Sequence, residues 1–292
     1  MSKGQQYFGG KWTKEKLSLL GKYLTAYTKI MNNQNFEFAY IDAFAGTGYY
    51  QRQRKPAQSA LMPEFGIEEK EFLEGSPRMA LSINPPFKKY IFIEKDKSRY
   101  EELKKLKVDF PDLQNRITVT NAEANTYLLE VCRKNWRRHR AVVFLDPFGM
   151  EVRWKTIEAI ALTHAIDLWL LFPLGQAINR LLRKDGRINP SNRERLNEIF
   201  GSDDWYEYFY KEHQQLTLLN EGMASVKKIA DFKIITQYFI NRLKTIFADV
   251  SRIPRPLYNS RNVPLFLLCF AAGNKKGAPL AIKIADDILR TT

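Results

Sequence analysis

Five short apolar runs, at 38–41, 90–93, 117–119, 141–145 and 166–172, punctuate the first part of this chain, and each gives way to a turn or a carboxylate. The runs are nearly continuous rather than alternating, the pattern of strands buried on both faces. Between them lie segments with helical spacing, and strand–helix alternation of this kind dictates an α/β fold around a parallel sheet. The segment 12–31 places Trp12, Leu17, Leu20, Tyr23, Leu24, Tyr27 and Ile30 on a helical period, which predicts an amphipathic helix laid on that sheet. Further helices are expected over about 76–83, 97–109, 126–137, 157–163 and 279–290.

Open parallel sheets bind ligands beyond the carboxyl ends of their strands. Asp42, Glu94, Glu123 and Asp146 all fall at such ends. The first strand runs into Asp-Ala-Phe-Ala-Gly-Thr-Gly at 42–48, where Gly46 and Gly48 would let a ligand approach the backbone closely. The turn lacks the third glycine of the dinucleotide fingerprint and the Lys-Ser/Thr of a phosphate loop, so spacing alone leaves an ordinary tight turn open. Residues 49–73 show no clean period and read as a long inserted loop.

Lys and Arg number 46 against 32 Asp and Glu, a formal charge of +14 that favours a polyanionic partner. The excess is spread over 52–55, 133–140 and 180–195, each of which read singly is a solvated face. Two distant cysteines, Cys132 and Cys269, exclude a disulfide framework, and His139, His164 and His213 lack metal-ligand spacing. With a polar beginning and no membrane-length apolar run, a soluble, cytoplasmic protein is expected.

The alternation breaks after residue 175. Residues 176–249 read as a helical, basic insertion containing Arg180, Arg183 and Arg187, a small helix-turn-helix-like module, a substrate clamp or a docking surface for a partner, and the aromatic run 205–210 reads as core. Residues 250–292 return to the sheet with two strands, around a hairpin at 260–262, and a closing helix; residues 1–175 form the rest of the core.

Glycine turn first, an acid after each of strands two and three, and Asp-Pro-aromatic after strand four: this order resembles the class I S-adenosylmethionine-dependent methyltransferases. More narrowly, Trp-Thr-Lys-Glu-Lys-Leu at 12–17, Asp-Ala-Phe-Ala-Gly-Thr-Gly at 42–48, Glu-Gly-Ser-Pro-Arg-Met-Ala-Leu at 74–81, Asp-Pro-Phe-Gly at 146–149 and Pro-Leu-Tyr-Asn-Ser-Arg-Asn-Val-Pro-Leu at 256–265 resemble the three-Cys-motif partner proteins. The resemblance implies a Rossmann-like, seven-stranded, mostly parallel sheet with the insertion between strands five and six. It further implies S-adenosylmethionine held by Asp42, Phe44, Gly46, Gly48, Glu94 and Glu123, with Asp42 near the cofactor's amino group, Glu94 on the ribose hydroxyls and Glu123 on the adenine amino group. Asp146, Pro147 and Phe148 would form the catalytic loop, and a radical-SAM-like three-Cys-motif protein would be the partner.

Amino-methyltransferases of nucleic acid carry Asp-Pro-Pro-Tyr here, whose first residue accepts a hydrogen bond from the target amine while the aromatic stacks on the flipped base. In this chain Phe148 replaces the second proline and Gly149 the aromatic. Three functions therefore compete: methylation of nucleic acid (DNA or RNA), methylation of a protein or small molecule, and a non-catalytic methyltransferase-fold module serving a partner protein or nucleic acid.

Overall fold

The computed structural model describes residues 11–48, 75–147, 149–214 and 224–291. The expected long loop over 49–73 and Phe148 lie outside them. The chain opens with α1 (Lys11–Met31) and β1 (Glu37–Asp42), followed by α2 (Ser76–Leu81), β2 (Lys89–Glu94), α3 (Lys97–Leu103) and α4 (Leu106–Asp109). Next come β3 (Ile117–Asn121), α5 (Ala124–Cys132), β4 (His139–Leu145), α6 (Trp154–Leu162) and β5 (Ile166–Phe172). Strands β1 to β5 pair in parallel in the order β3-β2-β1-β4-β5.

The sheet is completed from the end of the chain by β8 (Asp249–Val250), β9 (Arg255–Tyr258) and β10 (Pro264–Ala272), and α11 (Ala278–Arg290) closes it. Strand β10 runs antiparallel beside β5, and both short strands pair with its other edge. The expected seven-strand order is thus kept, with the penultimate strand broken into two pieces around Ser251–Pro254. The hairpin joining β9 to β10 closes with a hydrogen bond from Asn259 N–H to the Val263 carbonyl at 3.0 Å.

Adjacent residues on each strand serve opposite faces. Ile41, Val143, Leu145 and Leu170 face α5, α6 and the insertion, whereas Tyr40, Val142, Phe144 and Trp169 face α1 and α11. Aromatic contacts seat α1 on the sheet: Tyr23 lies 5.3 Å from Trp169 and 4.7 Å from Phe270, and Trp12 lies 5.2 Å from Phe266, centroid to centroid. Tilted and edge arrangements of this kind add to the stabilisation from burial.

The insertion begins as a π-helical turn, Leu174–Ile178, running into α7 (Asn179–Leu181), then α8 (Pro190–Phe200) and α9 (Trp205–Phe209). It continues through β6 (Tyr210–Gln214), β7 (Ala224–Lys228) and α10 (Phe232–Lys244). The antiparallel β6–β7 ribbon departs from the helical reading of 176–249. Its charged residues hide a two-residue alternation too short to outweigh the helical spacing on either side. Phe200, Trp205, Phe209 and Phe239 belong to the same core as Ile41 and Val143, and Phe239 stacks on Phe172 of β5 at 3.8 Å. Among the described residues no helix is long and apolar enough to cross a membrane.

Gly175, in the π-helical turn, marks a close approach of two backbones, since a Cβ there would lie 1.9 Å from the Pro264 carbonyl oxygen. Backbone cannot yield as a side-chain tip does, so Gly175→Ala should destabilise the protein toward the upper end of the about 1–3 kcal/mol of overpacked sites. A lowered urea midpoint at unchanged m-value is the expected readout, and an unchanged midpoint would mean that β10 shifts freely.

Candidate cofactor site

The four carboxylates expected at the strand ends do converge on one edge of the sheet, but in two different environments. Glu94 ends β2 and is 6% exposed. Its Oε2 accepts the Gly46 N–H at 3.0 Å and its Oε1 accepts the Asp96 N–H at 2.7 Å, leaving a further lone pair on each oxygen. The glycine turn is strung between neighbouring strands, with Ala43 N–H bonded to the Phe144 carbonyl at 3.2 Å and Ala45 N–H to the Ile93 carbonyl at 3.0 Å. Gly46 (φ 62°) and Gly48 (φ 68°) take the left-handed conformation. The Cβ direction of Gly48 is filled by Leu103 and Leu106 at 3.1 Å, so packing as well as φ demands glycine there.

A cavity of about 710 Å³ opens along this edge. Phe44 follows β1, Glu94 ends β2, Ala122 and Glu123 follow β3, Met150 follows β4, and Arg195 and Glu198 reach in from α8. Pockets for small ligands and cofactors span about 300–1,000 Å³. A carboxylate with spare lone pairs suits two vicinal hydroxyls, and Phe44, Ala122 and Met150 give apolar walls for a planar base, so these residues fit a nucleoside cofactor such as S-adenosylmethionine.

Glu123 caps α5. It accepts the Asn125 and Thr126 N–H groups at 3.0 and 2.8 Å and bonds both of their side chains. Partial burial pushes its pKa up, but these hydrogen bonds outweigh burial and hold it below the ordinary carboxylate range. The next residue of this wall, Asn125, is 4% exposed and ties two loops together: its Oδ1 accepts the Arg153 N–H at 3.0 Å and the Thr156 hydroxyl at 2.8 Å, and its amide donates to Glu123 and to the Glu151 carbonyl.

Asp42 and Asp146 do not line the cavity. They lie inside the protein, 0% and 1% exposed, with Lys16 of α1, whose Nζ is 2.5 Å from Asp146 Oδ2. Asp42 accepts from the Phe44 N–H at 3.3 Å and the Tyr40 hydroxyl at 3.4 Å. Burial pushes its pKa up to about 6, against the opposing pull of the Ser76 hydroxyl, the Phe44 amide, Lys16 and Tyr40. Burial likewise raises the Asp146 carboxyl and lowers the Lys16 ammonium, each moderated by the other. Pro147 is buried beside them.

Lys16 was not among the expected site residues, although the sequence carries its signal. It falls one turn after Trp12 and one before Leu20, in the middle of the apolar stripe, where a charge survives only with a partner. Arg180, Arg183 and Arg187 line a separate hollow of about 450 Å³, where Arg183 also bonds Asp185. No metal-ligating cluster occurs among the described residues.

The strand order β3-β2-β1-β4-β5-β10, with β10 antiparallel and the broken strand outside it, decides the fold. The chain has the Rossmann-like fold of the class I methyltransferases. Among solved structures it is similar to protein LPL1258 from Legionella pneumophila str. Philadelphia 1, at 14% identity over 97% of this chain and 92% of that one, with a TM-score of 0.51. Looser superpositions include Trm1 from Pyrococcus horikoshii, solved with S-adenosyl-L-methionine (14% identity, 95% and 77% covered, TM-score 0.37), and an rRNA methylase from Streptococcus thermophilus (11%, 73% and 95%, 0.31). No family model matches the sequence. No curated protein does either.

The raised Asp42 carboxyl gives stability a pH dependence of known sign. Between the ordinary aspartate pKa near 4 and about 6 the folded state binds the extra proton, so this contribution is full below pH 4 and is lost as pH rises to 6. It amounts to about 3 kcal/mol. Urea midpoints of the wild type should therefore fall over this window relative to those of Asp42→Asn, and parallel curves would show that Asp42 is ionised throughout.

Proposed function

We propose that this protein is an S-adenosylmethionine-dependent methyltransferase acting on nucleic acid. The observation that carries the reading is the cavity at the carboxyl edge of the sheet, with Glu94 at its wall and the glycine turn held above β2 by that same carboxylate. Glu94 would accept the ribose hydroxyls, Phe44 and Ala122 would flank the base, and Gly46 would keep the turn clear of the amino-acid portion. Glu123, committed to capping α5, would shape the adenine wall more than bond to it. When bound, the cofactor supplies an electrophilic methyl group whose C–S bond pair passes to sulfur as the acceptor's lone pair forms the new bond, a proton leaving the acceptor for water.

In this reading Asp146, which follows β4, would accept a hydrogen bond from the acceptor. Its Oδ1 is buried with no hydrogen-bond partner among the described residues, whereas Oδ2 is closed by Lys16. A nucleic-acid substrate is supported by the charge of +14 and by the three arginines gathered in one hollow of the insertion.

The second reading keeps the cavity and the cofactor but assigns no turnover: a methyltransferase-fold partner of a radical-SAM-like three-Cys-motif protein. The burial of Asp146 away from the cavity lining favours it. Asp146→Asn separates the two, because loss of methyl transfer with cofactor affinity kept belongs only to the enzyme.

Calorimetric titration with S-adenosylmethionine and its demethylated product should give micromolar binding. Glu94→Gln should weaken it about ten- to a hundredfold, the loss expected for hydrogen bonds to a charged group. Wild-type affinity in that variant would place the ribose elsewhere. For the polymer, replacing Arg180, Arg183 and Arg187 by Glu should weaken tRNA or duplex DNA binding and flatten its dependence on salt. An unaltered salt slope would move the clamp off the insertion.

A further inference from the structure

A second cavity, of about 470 Å³, opens at the opposite edge of the sheet, where β1, β4 and β5 begin and β10 ends. It lies between the last turns of α1 and the first turns of α11, with Ile30 and Met31 on one side and Leu280 and Ile284 on the other. It shares no lining residue with the cofactor cavity. Its size is within the range of small-ligand pockets.

Polar groups interrupt these apolar walls at particular points. Asp167, the second residue of β5, is half-buried against the cavity. Its Oδ1 accepts from the Gly273 N–H and its Oδ2 from the Tyr23 hydroxyl, each at 3.0 Å, leaving a further lone pair on each oxygen. Tyr27 is 9% exposed and its hydroxyl makes no hydrogen bond among the described residues, although Asp167 and Arg140 both lie close enough to act on it. A polar ligand atom beside that hydroxyl would therefore be stabilising. Arg140, the second residue of β4, lies 3.9 Å over the Phe36 ring, donates to the Trp136 and His139 carbonyls, and is paired with no acid among the described residues. Lys276 stands exposed at the mouth, just before the first turn of α11, whose helix dipole is positive at that end.

One occupant has to satisfy all of these groups at once. A fatty acid would lay methylenes against Asp167, leaving a desolvated charge unpaired, and a polyamine would meet Arg140 and Lys276. What fits is a planar, largely apolar body with N–H donors at one end and an anion at the other. Burial pushes the Asp167 carboxyl up to about 6, against the opposing pull of the Gly273 amide, Tyr23 and Arg140, so at pH 7.5 it is ionised and only accepts. Guanine offers two adjacent N–H donors to such a group. Adenine and cytosine offer one beside a ring acceptor, and uracil offers one between two carbonyls. The structure assigns this cavity to a guanine nucleotide: its base beside Tyr27 between α1 and α11, its N–H edge on Asp167, and its phosphate between Arg140 and Lys276. The site is separate from the cofactor cavity and stands whether or not the protein transfers methyl groups.

The test is calorimetric titration of the full-length protein at pH 7.5 with GMP, AMP, CMP and UMP, and with decanoate, spermidine and tryptophan as rival chemistries. GMP should bind with a Kd below about 100 μM, at least about tenfold more tightly than UMP, the difference expected for hydrogen bonds to a charged group. Lys276→Glu should weaken GMP about tenfold or more, and Tyr27→Phe about three- to tenfold. Neither change disturbs packing, since Lys276 is exposed and Tyr27→Phe removes only a hydroxyl that bonds nothing in the protein. Saturating S-adenosylmethionine should leave the GMP affinity within about twofold, as two separate cavities require.

GMP affinity that is equal in the wild type and both variants places the nucleotide elsewhere and overturns the assignment. So does displacement of GMP by S-adenosylmethionine, equal affinity for all four nucleotides, tighter binding of any rival, or no GMP binding up to about 1 mM. A trinucleotide that begins with 5′-phosphoguanosine separates two sources of the same chemistry. Binding at least as tight as that of GMP assigns the cavity to the end of an RNA, and weaker binding assigns it to the free nucleotide.

Discussion

An ammonium closed against a carboxylate inside the protein is the interaction on which the rest of this architecture leans. Lys16 and Asp146 are 130 residues apart in sequence, and their contact fixes α1 against the end of β4. Hydrophobic packing would seat α1 on the sheet at several nearby registers, since Trp12, Tyr23 and Tyr27 are large but non-directional. A buried charge admits only the register in which its partner is present, because breaking such a pair costs about 3–5 kcal/mol. Charge thus supplies the specificity and apolar area the stability.

The same pair divides the polar edge of the sheet in two. Glu94 and Glu123 face the cavity with their charge satisfied by backbone N–H groups, Glu94 with lone pairs to spare and Glu123 committed to capping α5. Asp42 and Asp146, at the equivalent ends of β1 and β4, are shut away with Lys16. Four carboxylates at four strand ends therefore lie in two environments: one pair at the cavity, the other enclosed with Lys16. Burial is the variable that separates them, and it comes from α1 lying over β1 and β4 while the edge of β2 and β3 stays open.

Much of this was legible in the sequence because strands buried on both faces leave an unmistakable apolar record. All five parallel strands, the final antiparallel strand and the helix before β1 lie where their patterns place them, and the four acids share the predicted edge. The split between the acids was not legible. Whether Asp42 is exposed depends on what α1 covers, a tertiary fact, and counting only the apolar members of α1 passed over the one charged residue in its stripe. For Glu123 the resemblance implies only an adenine contact, and the hydrogen bonds it accepts from the Asn125 and Thr126 N–H groups show a capping role instead. The ribbon β6–β7 escaped because its strands are short and charged and draw order from packing around Phe209 and Tyr210.

The insertion is tied to the site more closely than its basic composition alone implies. Its aromatic residues continue the core beneath β5, so α8 is held rigidly enough to serve as a wall. Arg195 and Glu198 on that helix close one side of the cavity, and Glu198 lies 4.0 Å from Arg153 of the loop after β4. An exposed pair at that distance adds little stability. The pair matters more by joining α8 to the loop after β4, two walls of the same cavity. The arginines of α7 and the turn after it line a different hollow. The cavity wall is thus built from two sources: α8 of the insertion and the loop after β4, and the strand ends of the α/β core that carry Phe44, Glu94 and Glu123.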